Sequence, residues 1–193
     1  MNEEILRRYI AFEGIDGAGK TLMTRLLAGW LRERGVEVVS VKEPWLPENR
    51  RFLNEADPSP LAEALIFAAD RLVLQHSVVR AALERGAVVV SDRSVYSSLA
   101  YQCARGLEEG EVLRLNGDAV FPGTVFLLDI PVDEALGRID DRELTRFERR
   151  EFLEEVRRRY LSLAERYGFH VVDASKTPPE ILEEVVSRLE VVL

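Results

Sequence analysis

Cysteine is nearly absent: the chain of 193 residues has one, Cys103. A lone thiol makes no internal disulfide, so the fold is expected to rest on packing in a reducing compartment. Lysine is almost as scarce, with only Lys20, Lys42 and Lys176 among 26 cationic side chains. Asparagine and glutamine are also few, which fits either a hot environment or a biased genome composition. No apolar run approaches the ~18 residues of a membrane span, and MNEEILRRYI has neither an apolar signal core nor a cleavage site. Glycine and proline, at 12 and 8, exclude a collagenous or low-complexity chain. A net charge of −8 argues against a nucleic-acid polymer or an anionic membrane as partner, since either needs a broad positive face. What is left is one cytoplasmic domain over 1–193, with 47% hydrophobic residues to build a core.

Apolar runs and helical patterns alternate along the chain. YIAF (Tyr9–Phe12), VEVVSV (Val36–Val41), AVVVS (Ala87–Ser91), TVFLLD (Thr124–Asp129) and HVVD (His170–Asp173) read as five strands. Helices are expected over Lys20–Arg34, Leu61–Arg85, Tyr96–Ala104, Glu108–Val120, from Val132 to Tyr167 with a break near Asp140–Leu144, and from Pro178 onward. The stretch holding Pro44, Pro47, Pro58 and Pro60 reads as a loop. Continuously apolar strands between helices indicate an α/β fold, a parallel sheet with helices on both faces. In such sheets ligands sit beyond the carboxyl ends of the strands.

After the first strand comes GIDGAGKT, matching G-x-x-x-x-G-K-[ST] between a strand and a helix. Gly14, Gly17 and Gly19 let the backbone close around phosphate oxygens, with Ile15, Asp16 and Ala18 between them. Lys20 brings charge to the β- and γ-phosphates, and the Thr21 hydroxyl can ligate Mg²⁺. After the second strand come Lys42 and Glu43; after the third, Asp92 and Arg93, which opposite such a loop can serve a metal ion and clamp phosphate. Phe67 and Arg71, four apart, share a helix face that could hold a nucleobase. The residues alone favour a plainer reading, with Phe67 in the core and Arg71 paired to Asp70 or Asp92. Arg138, Arg142 and Arg146 form a cationic stripe, either a lid over transferring phosphate or a solvated face. Cys103, His76 and His170 read as structural.

FEGIDGAGKT, KEP, LIFAADR, SDRSVYSSLAYQ, FLLDIPVDEAL and VRRRYLSLAE, in this order, resemble bacterial and archaeal thymidylate kinases over nearly the whole chain. The resemblance implies a three-layer P-loop fold with strand order 2-3-1-4-5 and a short Arg-rich lid at about 138–148. It implies transfer of the γ-phosphoryl of ATP to dTMP for dTTP synthesis, with Mg²⁺, in a homodimer. Asp16 would contact the sugar 3′-hydroxyl, Phe67 would stack on thymine, and Arg71 would bond the base edge. Ser97, Ser98 and Gln102 would line the base, and Tyr101 would fill the space of a ribose 2′-hydroxyl. Arg93 would bridge the two nucleotides' phosphates, Thr21 and Asp92 would serve the metal, and Lys42 and Glu43 would belong to the acceptor side. Arg138 and the loop through Ser175 would border ATP. With Ala18 in the phosphate loop, the catalytic cation would come from the lid, as Arg142 and Arg146.

Three departures stand out. Lys42 replaces the family's usual Arg, Ser94 replaces a common Tyr, and the stretch from Trp45 to Pro60 is short and lacks G-G-T. They bear on the acceptor, and leave open another deoxynucleotide or a deoxynucleoside as substrate, with Glu43 as a general base. A non-catalytic nucleotide-binding module is the alternative outside enzymes.

Overall fold

The computed structural model describes residues 1–139 and 149–189. Five strands form one parallel sheet: β1 (Tyr9–Glu13), β2 (Val38–Lys42), β3 (Val88–Asp92), β4 (Thr124–Asp129) and β5 (His170–Asp173). Their order is β2-β3-β1-β4-β5, as the resemblance implied. The inner strands β1 and β3 are buried at every position, while the edge strands β2 and β5 are partly open. That difference is why the inner strands read as unbroken apolar runs.

Alternate residues of a strand face opposite sides of the sheet, and the two sets pack on different helices. Ile10, Phe12, Val88 and Val90 meet Met23, Leu27 and Leu31 of α2 (Lys20–Arg32). Tyr9 and Val89 meet Leu74 of α4 (Pro60–Leu74) and Leu83 of α5 (Arg80–Glu84). Beside α4 on that second face lies α6 (Val95–Ala104), packed in turn against α9 (Arg150–Tyr167), while α10 (Pro178–Leu189) joins α2. Each fully buried Leu or Phe contributes roughly 1.5–3 kcal/mol.

The remaining short helices are α1 (Glu3–Arg7), α3 (Pro47–Glu55), α7 (Glu109–Leu115) and α8 (Val132–Gly137). Two differ from the sequence reading. The expected loop after β2 holds α3, opened by Pro47 and anchored by Asp70, which accepts from the amides of Trp45 (2.5 Å) and Leu46 (2.9 Å) and from Asn49 Nδ2 (2.9 Å). The helix expected over Glu108–Val120 ends at Leu115. The long Leu61–Arg85 helix is interrupted by a π segment at Gln75–Val79. There the buried Gln75 amide exchanges two hydrogen bonds with the backbone of Val120, 2.7 and 2.8 Å, a tertiary partner that periodicity does not reveal.

Candidate active site

The loop between β1 and α2 is shaped by positive φ at Gly14, Gly17 and Gly19. Gly17 is the most constrained: at φ 84°, a Cβ there would lie 2.2 Å from the Ala135 carbonyl oxygen of α8. The loop amides and the start of α2 thus form a cradle with anion-binding geometry. Lys20 folds over it, donating from Nζ to the carbonyls of Gly14 (3.0 Å) and Ile15 (2.7 Å). Burial, helped by the nearby Arg93 guanidinium, pushes this ammonium down to about 8. Asp16 Oδ1 lies 3.9 Å from Nζ, and an incoming phosphate would supply a closer negative partner.

Beside Lys20, the Thr21 hydroxyl donates to Asp92 Oδ2, and Lys42 Nζ lies 3.0 Å from the same oxygen and 2.9 Å from Thr21 Oγ1. Asp92 Oδ1 is buried without a hydrogen-bond partner. Burial opposes ionisation of Asp92, but Lys20, Arg93 and Lys42 outweigh it and hold the carboxyl below its ordinary value. An orphaned carboxylate oxygen beside a hydroxyl suits a hard cation that keeps several waters and binds phosphate oxygens, as Mg²⁺ does. Among the described residues, no cluster of three or more His, Cys, Asp or Glu could form an all-protein metal cage.

Arg93 marks the centre. Its φ of 76° is the only positive value among described non-glycine residues, a strain of ~1–3 kcal/mol that clusters at functional sites. Its guanidinium bonds Asp16 Oδ1 at 2.5 Å and Ser97 Oγ at 3.2 Å, and lies 5.0 Å from the Tyr101 ring centre. Asp16 stays ionised below its ordinary value because Arg93 and Lys20 outweigh its burial. Two cavities meet at this point. One, of about 930 Å³, runs over the phosphate loop, Asp92 and Arg138; the other, of about 580 Å³, opens toward α3, α4 and α6. Asp16, Lys42 and Arg93 line both.

The smaller cavity brings together all ten residues expected on the acceptor side. Phe67 contributes a partly buried ring, and Arg71, 1% exposed, lines the same cavity. Arg71 pairs with neither Asp70 nor Asp92. It bonds Glu43 Oε2 (2.7 and 2.9 Å), Asn116 Oδ1, Ser98 Oγ (3.0 Å) and the Ser94 carbonyl (3.3 Å). Behind Ser97 sits Glu13, fully buried and accepting from Ser94 (2.6 Å), Ser97 (2.7 Å) and Tyr160 of α9 (2.8 Å). Burial raises the Glu13 carboxyl above its ordinary value despite those donors.

On the larger cavity's rim Arg138 donates to the Ala174 carbonyl at 2.9 Å, beside Ser175, whose amide and hydroxyl both bond Asp173. Gly14, Ile15 and Ser175 do not themselves line the cavity. Arg142 and Arg146 lie outside the described residues. Sequence reasoning missed Arg50, Leu53 and Asn54 of α3, which line the smaller cavity, and the hidden partners Glu63, Asn116 and Tyr160. The sequence signal for α3 was Pro47 at a first helical turn.

A family model for thymidylate kinase matches residues 12–185. The chain belongs to the thymidylate kinase family. It is 40% identical to a probable thymidylate kinase of Thermococcus onnurineus, over 94% of this chain and 97% of that protein. A probable thymidylate kinase of Pyrococcus horikoshii is 42% identical over 94% and 95%, and a thymidylate kinase of Fervidobacterium nodosum 38% over 92% and 96%. Family membership makes the chain a P-loop kinase, a transferase that uses ATP.

Proposed function

We propose that the chain transfers the γ-phosphoryl of ATP to dTMP, giving ADP and dTDP for dTTP synthesis. The observation that carries this is the meeting of two cavities at Asp16 and Arg93, one floored by the phosphate loop, the other walled by Phe67, Arg71 and Gln102. ATP phosphates lie in the cradle of Gly14–Thr21 under Lys20, with Arg138 and the Ser175 loop toward the adenine. In the smaller cavity Phe67 stacks on the base, Arg71, Ser97, Ser98 and Gln102 read its edge, and Asp16 takes the sugar hydroxyl. Tyr101 leaves no room for a 2′-hydroxyl. Lys42 and Glu43 complete the wall.

The acceptor phosphate is already anionic, so no general base is required, and the protein's part is positioning and charge. Arg93 spans both phosphates, and Arg142 and Arg146 supply further cationic charge to the transferring group. Thr21 and Asp92 would hold Mg²⁺, which when bound neutralises phosphate charge. A deoxynucleoside acceptor would need a free base; Glu43 is committed to Arg71, which speaks against it.

The protein acts in the cytoplasm, consistent with its buried free Cys103, and no helix among the described residues is long and apolar enough to cross a membrane. Leu61, Leu65 and Val73, exposed at four-residue multiples along α4, support self-association into a homodimer, which analytical ultracentrifugation would test. The deciding assay is ADP release with dTMP, dUMP, UMP, dCMP and thymidine as acceptors. dTMP should be fastest; a faster reaction with thymidine, or none with any acceptor, would overturn the reading.

A further inference from the structure

A side-chain amide has an acceptor end and a donor end of nearly equal shape, so its neighbours decide which end a ligand meets. Gln102 sits on the wall of the smaller cavity and is 2% exposed. Its Nε2 donates to Glu63 Oε1 at 2.7 Å, and its Oε1 is buried with no hydrogen-bond partner. Glu63, one turn before Phe67 on α4, is itself 0% exposed. Its other oxygen accepts from Arg105, which also donates to Asp57 and to the Pro58 carbonyl, both at 3.3 Å. An ionised carboxylate only accepts. Turning the amide over would set two oxygens against each other in a dry site, so Glu63 holds Gln102 with its oxygen as the free end.

We propose that Glu63 is a positioning residue for acceptor selectivity, locking Gln102 as a pure hydrogen-bond acceptor and so selecting bases with an imide N–H. The inference rests on the smaller cavity holding the nucleobase. Thymine and uracil present N3–H between two carbonyls, which suits a Gln102 acceptor beside an Arg71 donor. Cytosine presents a bare N3 and an amino group, so acceptor faces acceptor and donor faces donor. The buried Gln102 oxygen costs stability while unpaired, and the imide proton relieves that cost.

The test compares dTMP, N3-methyl-dTMP and dCMP as acceptors for the wild type, Glu63→Gln and Arg105→Lys. A glutamine at 63 can pair with Gln102 in either orientation, so the lock is lost. The dTMP-over-dCMP ratio of kcat/KM should fall about tenfold or more in Glu63→Gln, through a higher dTMP KM, with the ATP KM unmoved. Arg105→Lys keeps a cation against Glu63 and leaves the Glu63–Gln102 bond, and should retain the wild-type ratio. An unchanged ratio in folded Glu63→Gln, or an equal fall in Arg105→Lys, would overturn the proposal. Should Glu63→Gln not fold, the wild type decides: N3-methyl-dTMP must lose at least tenfold against dTMP, and equal turnover overturns the lock. Failure of the underlying base site looks different, since dTMP itself would then neither bind nor react.

Discussion

The two cavities are built on different plans. The phosphate-loop side is built around one contiguous stretch, Asp16–Met23, to which the ends of β2 and β3, Arg138 and the start of α10 add side chains. The acceptor side is assembled from side chains on β2, α3, α4 and α6, each fixed by a partner behind it: Arg71 by Glu43 and Asn116, Gln102 by Glu63, Ser97 by Glu13. A cradle for phosphate needs close-packed amides, which contiguous chain supplies cheaply. Reading a base needs donors and acceptors at particular points in space, which no contiguous stretch can reach.

If the plans differ, damage should differ in kind. On the loop side the effect is on turnover: Lys20→Ala, and Arg93→Ala at the junction, should each lower kcat ~10²-fold or more, read by ADP release. Near-normal turnover in both would dissolve the distinction. Gly17→Ala should abolish nucleotide binding in titration calorimetry, because its Cβ would collide with the Ala135 backbone rather than a movable side chain.

On the acceptor side damage should fall on KM and stability. Arg71→Ala should raise the dTMP KM well above any change in the ATP KM, and leave Glu43 buried without its cation, at a cost of about 3 kcal/mol in urea unfolding. Equal shifts of both KM values would remove Arg71 from the base. Asp70→Ala removes three bonds that hold α3 and should cost about 2 kcal/mol while raising the dTMP KM, since Leu53 and Asn54 line the cavity from α3. A variant that melts lower but keeps its KM would show α3 to be packing alone.

The same contrast explains what could be read in advance. The inner strands are legible because burial on both faces leaves one kind of residue, and the phosphate loop because its glycines, Lys20 and Thr21 are adjacent. The acceptor wall was visible only through family resemblance. Phe67 and Arg71 on their own suggested core and ion pair, and Arg71 does form an ion pair, with Glu43 from another element. Glu63, Asn116 and Tyr160 gave no signal, because a polar residue at a helical position looks solvated until its neighbours are known. The break at Gln75 was hidden likewise, since its partner Val120 lies 45 positions away.

The smallest expected effect concerns Glu13, the partner that ties the acceptor wall to α9. Burial raises its carboxyl from the ordinary 4.5, against the pull of Ser94, Ser97 and Tyr160. From about 4.5 up to the raised value, the native protein keeps a proton that the unfolded chain has released. The native state then binds more protons, so the stabilisation due to Glu13 is complete below 4.5 and is lost as pH rises through the raised value. Glu13→Gln has no such proton but keeps the shape and a group that can accept from Ser97 and Tyr160. The stability of the wild type relative to Glu13→Gln should therefore decline with rising pH across that window, by at most ~1.4 kcal/mol per pH unit, in urea unfolding at matched ionic strength. A difference that stays flat or grows would mean that the three hydroxyl donors outweigh burial. The Glu13 carboxyl would then ionise more readily in the fold than in the unfolded chain, set by its three hydroxyl partners rather than by its burial.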